Sequence, residues 1–121
     1  MDKDLKKYKK QAMEIINDAN NMINSMVETL SGDDPVSSFQ SRDADSAFDR
    51  MRYVQNDAVH LFHYCNSVDD YKHVAEGKEH VEFMKKQARH RLLRMKEGLE
   101  SIESYTQEAV KCQADNSNER E

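Results

Sequence analysis

The chain has 121 residues, which is enough for one domain with a core of its own. With one proline, three glycines, no tryptophan and no strand-like alternation of β-branched residues, its composition favours an all-α protein over a sheet. The net charge of -5 neither requires nor excludes nucleic acid as a partner.

Membrane insertion and secretion have no support in the sequence. No apolar run approaches the ~18 residues that cross a bilayer, and no apolar segment follows the basic N-terminus as it would in a secretory signal. Cys65 and Cys112 show no local pairing pattern, which fits a reducing compartment better than a disulfide framework. We therefore expect a cytoplasmic protein.

The first predicted helix runs from about Asp4 to Leu30. Its apolar residues recur at steps of three and four, and further apolar residues widen the stripe: Leu5, Tyr8, Ala12, Ile15, Ala19, Met22, Met26 and Leu30, with Ile16, Ile23 and Val27 beside them. A stripe this wide is typical of a bundle helix with two neighbours. Gly32 and Pro35 then end the helix, and the polar segment from Asp33 to Arg42 is predicted as the longest loop.

The second and third predicted helices form an antiparallel pair. The second runs from about Asp43 to Asn66, where Asn66 and Ser67 offer a break and a new N-cap. The third then runs from about Asp69 to Cys112 and is followed by a polar tail, 113–121, which we expect to be disordered. The expected fold is an up-down-up antiparallel bundle of three helices in one domain, 1–112, with a fourth short helix if Gly98 breaks the third.

The third helix is predicted to extend beyond the cover of the other two. Unbroken, it would be roughly 65 Å long, against roughly 40 and 36 Å for the first two. Its apolar stripe nevertheless continues through the C-terminal end, in Leu99, Ile102, Tyr105, Ala109 and Val110. Apolar surface left in water costs about 25 cal/mol per Å², so these residues are expected to be buried against something.

Three kinds of burial are open for this end of the third helix. The loop could fold over it through Val36 and Phe39, the helix could fold back at Gly98, or a second chain could pack there. The loop is small, and glycine inside a helix costs only about 1 kcal/mol. Association is therefore the favoured interpretation, either with another protein or with a second copy of the chain in a homodimer.

The segment Lys85–Lys96 carries six Lys or Arg residues and His90 but no acid. It suggests a nucleic-acid patch, yet its charges are spread around the helix instead of forming one stripe. Antiparallel pairing about Ser67 would also set it beside the acids Asp43, Asp45 and Asp49. A charge-compensated surface is therefore favoured, and weak nucleic-acid binding stays the third hypothesis.

The histidines suggest two further surfaces. His60 and His63 lie one turn apart on the polar face of the second helix, near Tyr53 and Tyr64, and Tyr is enriched where proteins touch. Tyr53, His60 and Tyr64 are therefore candidate partner-binding residues. A metal-binding bundle is the alternative, through His60 and His63 or through a flank of the third helix formed by His73, Glu76 and His80.

Catalytic patterns are missing from the sequence. No Ser-His-Asp arrangement stands out, no Glu-x-x-His pair of a di-iron bundle occurs on an inward face, and Cys65 falls on an apolar face where a thiol is inert. We expect a non-enzymatic protein-interaction module, an adaptor, inhibitor or chaperone-like regulatory protein that uses no cofactor and acts through residues 99–110.

Overall fold

A computed structural model describes residues 3–31, 42–71 and 77–119, with side-chain surroundings for all of these except 31, 69 and 113–119. Each stretch is one α-helix: α1 is Lys3–Ser31, α2 is Arg42–Tyr71 and α3 is Gly77–Glu119. No strand occurs in these stretches, so the predicted all-α class is confirmed. The predicted loop, with Val36 and Phe39, lies outside the described residues apart from Arg42.

The three helices pack against one another in up-down-up order. The thiol of Cys65, near the end of α2, lies 4.0 Å from the carbonyl oxygen of Leu5, near the start of α1. The middle of α2 contacts α3 through Asp57 and Arg91, whose Oδ1 and Nη1 atoms are 2.7 Å apart. Both α1 and α2 pack mainly on α3 and contact each other least. The predicted bundle of three helices is therefore confirmed.

One continuous core runs along the bundle. It is made from the apolar stripes that define each helix, and its buried members are Leu5, Ala12, Ile15, Ala19, Ile23, Met26, Leu30, Ala44, Ala47, Met51, Val54, Ala58, Leu61, Cys65, Val68, Met84, Ala88, Leu92, Met95, Ile102 and Ala109. Alanine recurs in all three helices, and its small side chain lets neighbouring helices approach closely. Burial of these stripes, more than intrinsic propensity, stabilises the helices.

Three predicted helix boundaries are wrong. α2 does not end at Asn66 but continues to Tyr71, because Val68 extends its buried face by another turn. α3 consequently begins at Gly77 instead of Asp69 and continues to Glu119, past the predicted end at Cys112. The start of α3 is tight, since a Cβ atom on Gly77 would collide with the carbonyl oxygen of Tyr71.

The predicted overhang is wrong for the same reason. α3 starts eight residues later than predicted (77 against 69), which moves the end of its stripe back along the bundle by about 12 Å. α1 and α2 are also longer than predicted, at 29 and 30 residues. Together these two changes place Ile102 and Ala109 inside the core of the same chain.

Gly98 does not break α3, so the third helix continues through it as the low cost of a helical glycine favours, and the alternative of a fourth short helix does not occur in the described residues. The role of Gly98 is to let α2 and α3 approach closely. A Cβ atom built on Gly98 would lie 2.5 Å from Cγ2 of Val54, well inside normal carbon–carbon contact. The β-branched side chain of Val54 is stiff and cannot turn aside easily.

We predict that the effect of Gly98→Ala on stability changes sign with the residue at position 54. In the natural chain, overpacking against Val54 should outweigh the ~1 kcal/mol that alanine gains in helix propensity, for a net loss of about 1 kcal/mol. In a Val54→Ala background the obstructing atom is gone, so the same change should stabilise. Urea unfolding of the four chains measures this coupling. The same sign in both backgrounds would contradict it.

Candidate protein-binding surface

The best-defined polar cluster lies between α2 and α3. Asp57 is buried, and its Oδ1 atom accepts a 2.7 Å hydrogen bond from Nη1 of Arg91. Nε of Arg94 lies 3.2 Å from the same oxygen and 3.4 Å from Oδ2. One buried carboxylate is therefore shared by two guanidinium groups one turn apart.

This cluster is part of the packing between α2 and α3. A buried charge is tolerated only when it is paired, and the two arginines supply that pairing. Beside it lies a groove of about 510 Å³, lined among others by Tyr53, His90, Arg94 and Gly98. Arg91 is mostly buried, so its charge is committed to Asp57 and is not presented to a ligand.

Sequence reasoning missed Asp57 and paired the basic segment with other acids. The signal for Asp57 is its position three residues after Val54 and four before Leu61, which is the spacing of the apolar stripe itself. The predicted pairing of Lys85–Lys96 with Asp43, Asp45 and Asp49 is wrong, because Arg91 and Arg94 of that segment bind Asp57. Asp49 instead lies 3.8 Å from Arg52 on its own helix.

We predict that Asp57→Asn destabilises the protein by about 2 kcal/mol. Removing one partner of a buried ion pair costs about 3–5 kcal/mol, and the half-exposed Arg94 lowers that loss because it can return to water. Asp49→Asn is the matched control on the same helix, since its pair with Arg52 is solvent-exposed and should cost less than about 0.5 kcal/mol. Urea unfolding gives both values, and equal losses would contradict a structural role for Asp57.

The predicted partner-binding residues of the α3 end are covered within the chain. Ile102 and Ala109 are buried, and the other three are partly buried against the core: Leu99, Tyr105 and Val110. These five residues were assigned to a partner because they were expected to be uncovered by the chain itself. The structure removes that reason. Val110 also lines a shallow cleft between α1 and α3 with Met22 and Met26.

The second predicted patch is more exposed. Tyr53 is well exposed, His60 and Tyr64 are half-buried, and a helical projection brings the three together on one flank of α2. His63 is exposed, and its ring centroid lies 6.1 Å from that of Tyr64. This flank adjoins the groove beside Asp57, so it is a polar aromatic surface next to the α2–α3 contact.

A metal centre gains no support. In the part of the chain that the structure describes, no group of three or more His, Cys, Asp or Glu side chains is arranged to hold a metal ion. His73 and Glu76 lie outside the described residues. His80 packs among aromatic rings, with centroids 4.4 Å from Tyr71 and 6.3 Å from Phe83.

Cys65 is a core residue, as predicted. Burial raises the pKa of its thiol to about 11, against an opposing effect of the positive charge on Lys9. The thiol points towards the carbonyl oxygen of Leu5, while Cys112 on α3 is exposed. Cys65 is therefore an unreactive packing group.

We predict that iodoacetamide modifies only one cysteine of the native protein at pH 8. Cys112 should react because it is exposed, whereas Cys65 should stay protonated and buried until the protein is unfolded in urea. Mass spectrometry counts the adducts, and a Cys112→Ser chain should take up none in the folded state. Two adducts on the native chain would show that the α1–α2 contact opens readily.

A group of exposed apolar residues lies along the contact between α1 and α2, on the side facing away from α3. Lys9 and Asn66 mark it, because Nζ of Lys9 donates a 3.2 Å hydrogen bond to Oδ1 of Asn66. Four large apolar side chains share this flank and are 36% to 66% exposed: Met13, Val27, Phe48 and Val59. We call this two-helix surface the α1–α2 face.

Helical periodicity places these four residues on the same side of the two helices, as two pairs. Val27 follows Lys9 by 18 residues and Phe48 precedes Asn66 by 18, which is about five full turns in each helix. Met13 is one turn after Lys9, and Val59 is two turns before Asn66. The two helices are antiparallel, so Met13 and Val59 lie near one level of the face, and Val27 and Phe48 near another.

The remainder of the α1–α2 face is polar but mostly uncharged at its centre. The exposed residues between the two apolar pairs include Asn17, Asn20, Asn24 and Asn56. Arg52 is the charged exception, and it lies 3.8 Å from Asp49 of its own helix. Apolar anchors with few charges at the centre are typical of a protein-binding patch.

Sequence reasoning missed this face because it assigned Phe48 and Val27 to the core. The width of the apolar stripe in α1 did signal two neighbours, but it could not show how much of the outer edge α2 leaves uncovered. Val59 carried the clearest signal, since it is a β-branched apolar residue that lies off the stripe of α2, one turn from the exposed residues Asn56 and His63.

Comparison with known proteins assigns no relative to this chain. No protein-family model, curated protein or solved structure matches it. Among the described helices, none is long and apolar enough to cross a membrane.

Proposed function

We propose that this chain is a non-enzymatic protein-interaction module that binds through its α1–α2 face. One observation carries the proposal: two pairs of large apolar side chains, Met13 with Val59 and Val27 with Phe48, are exposed on one side of the contact between two helices. A groove between two antiparallel helices is a common docking site for a further helix, which inserts apolar residues spaced three and four apart. The surface differs from the one expected from the sequence, because α1 and α2 cover residues 99–110.

Burial of the α1–α2 face against a partner is favoured by the hydrophobic free energy. Met13, Val27, Phe48 and Val59 each keep a third to two thirds of their surface in water. At about 25 cal/mol per Å², covering each of them gains roughly 1 kcal/mol, and the four together gain about 4 kcal/mol per chain. Single exposed apolar residues are normal, but two pairs of them on one side of two packed helices offer two apolar anchor points that favour association.

The competing functions have less support. The basic segment of α3 is partly used inside the protein, because Arg91 and Arg94 bind Asp57 and because Leu92 and Met95 of the same segment are buried. No arrangement of potential metal ligands was found in the described part of the chain. An adaptor, inhibitor or chaperone-like role fits a surface that offers contact area without reactive groups.

The test is photo-crosslinking from position 59. A benzoylphenylalanine in place of Val59 should give protein adducts in cells that express the chain, because Val59 is the most exposed apolar residue of the α1–α2 face. Leu93 is the matched control: it is exposed to a similar degree, 52% against 66%, but lies on α3 away from the face. Adducts from position 59 and few from position 93 support the proposal. Equal labelling, or none at position 59, overturns it.

A further inference from the structure

We infer that the occupant of the α1–α2 face is a second copy of the same chain, packed antiparallel about a twofold axis. This inference rests on the proposed function and identifies its partner. The order of apolar, polar and charged residues along the face supports it. A twofold interface requires that one surface be complementary to itself when it is turned end over end.

The apolar residues satisfy that requirement. One pair, Met13 and Val59, lies towards the N-terminal end of α1, and the other, Val27 and Phe48, lies towards its C-terminal end. A twofold axis midway between the pairs brings each pair of one copy onto the other pair of the second copy. The asparagines then lie around the axis, where their amides can hydrogen-bond as both donors and acceptors. Arg52 of each copy also lies near the axis, with Asp49 of its own helix 3.8 Å away.

The charges of α1 satisfy it independently, while Asp70 of α2 adds one exposed acid at the basic end. Lys6 and Lys10 are exposed at the N-terminal end of α1, beyond the first apolar pair. Glu28 and Asp45 are exposed at the opposite end, beside the second apolar pair. The same twofold axis sets the lysines of one copy against the acids of the other at both ends, whereas a parallel arrangement would set like charges together.

The size of the face is also sufficient. α1 and α2 have 29 and 30 residues, so each is about 45 Å long, and two adjacent helices about 10 Å wide present roughly 900 Å². Stable interfaces of standard size bury about 800 Å² per partner. Two chains can therefore cover each other's exposed apolar residues without unfolding any helix.

Charge reversal at each end of the face tests the dimer and its orientation. An acidic variant carries Lys6→Glu and Lys10→Glu, a basic variant carries Glu28→Lys and Asp45→Lys, and a third chain carries all four changes. Light scattering after gel filtration, in a reductant that prevents Cys112 bridging, gives the mass of each. Lys86→Glu with Lys96→Glu is the matched control, since these exposed lysines lie on α3, away from the face. Thermal melting checks that every variant folds.

The natural chain and the control should have twice the 14.1 kDa of the monomer at about 100 μM, where a standard interface associates. The acidic and basic variants should each dimerise at least about tenfold more weakly, because like charges then meet at both ends. The fourfold variant should recover, and so should an equimolar mixture of the two variants.

Three results would overturn the inference: a monomeric natural chain, end variants that dimerise as well as the natural chain, or a fourfold variant that does not recover. Failure here is distinguishable from failure of the proposed function. If the chain is monomeric but position 59 still crosslinks selectively to another protein, the interaction module stands and only the second copy is wrong. If position 59 crosslinks to nothing, both are wrong.

Discussion

The contact between α2 and α3 fixes where everything else in this protein lies. Two neighbouring features set its register: Asp57 binds Arg91 and Arg94, and one turn further along Val54 packs onto the bare backbone of Gly98. The ion pair has a demanding geometry, because a buried carboxylate without a guanidinium is costly. Sliding α2 by one turn would lose the pair and drive Val54 against a side chain. The position of α3 then determines which of its residues α1 can cover.

The fold was predictable because it depends on local patterns. Steps of three and four in apolar residues located all three helices, and the lack of strand signals excluded a sheet. The helix ends were less predictable, because Asn66 and Ser67 taken alone have the sequence signal of a helix break. The next residue, Val68, is buried in the core, and this packing outweighs the local N-cap signal. Placing the end of α2 one turn early shifted the expected register of α3 and created an overhang that does not exist.

The candidate surface was less predictable than the fold for a related reason. The apolar stripe in a sequence shows which side of a helix is apolar. How much of the edge of that stripe stays in water depends on how closely the neighbouring helix approaches. α1 and α2 both pack closely on α3 and only loosely on each other, so Phe48 and Val27 stay partly in water although they belong to apolar stripes. Asp57 shows the converse case, in which a charged residue is buried because its arginine partners lie far along the chain.

The buried Asp57 and the exposed Phe48 lie on different sides of α2, and these two sides have different properties. On the side facing α3, charge and shape are matched within the chain, so little remains there for a partner to bind. On the side facing α1, several apolar residues stay exposed, and the charges of α1 are separated towards its two ends. Four of the exposed large apolar residues lie where the bundle is least tightly packed, which is where the proposed second helix pair would add most contact. The association that we propose would then follow from how α3 holds the other two helices.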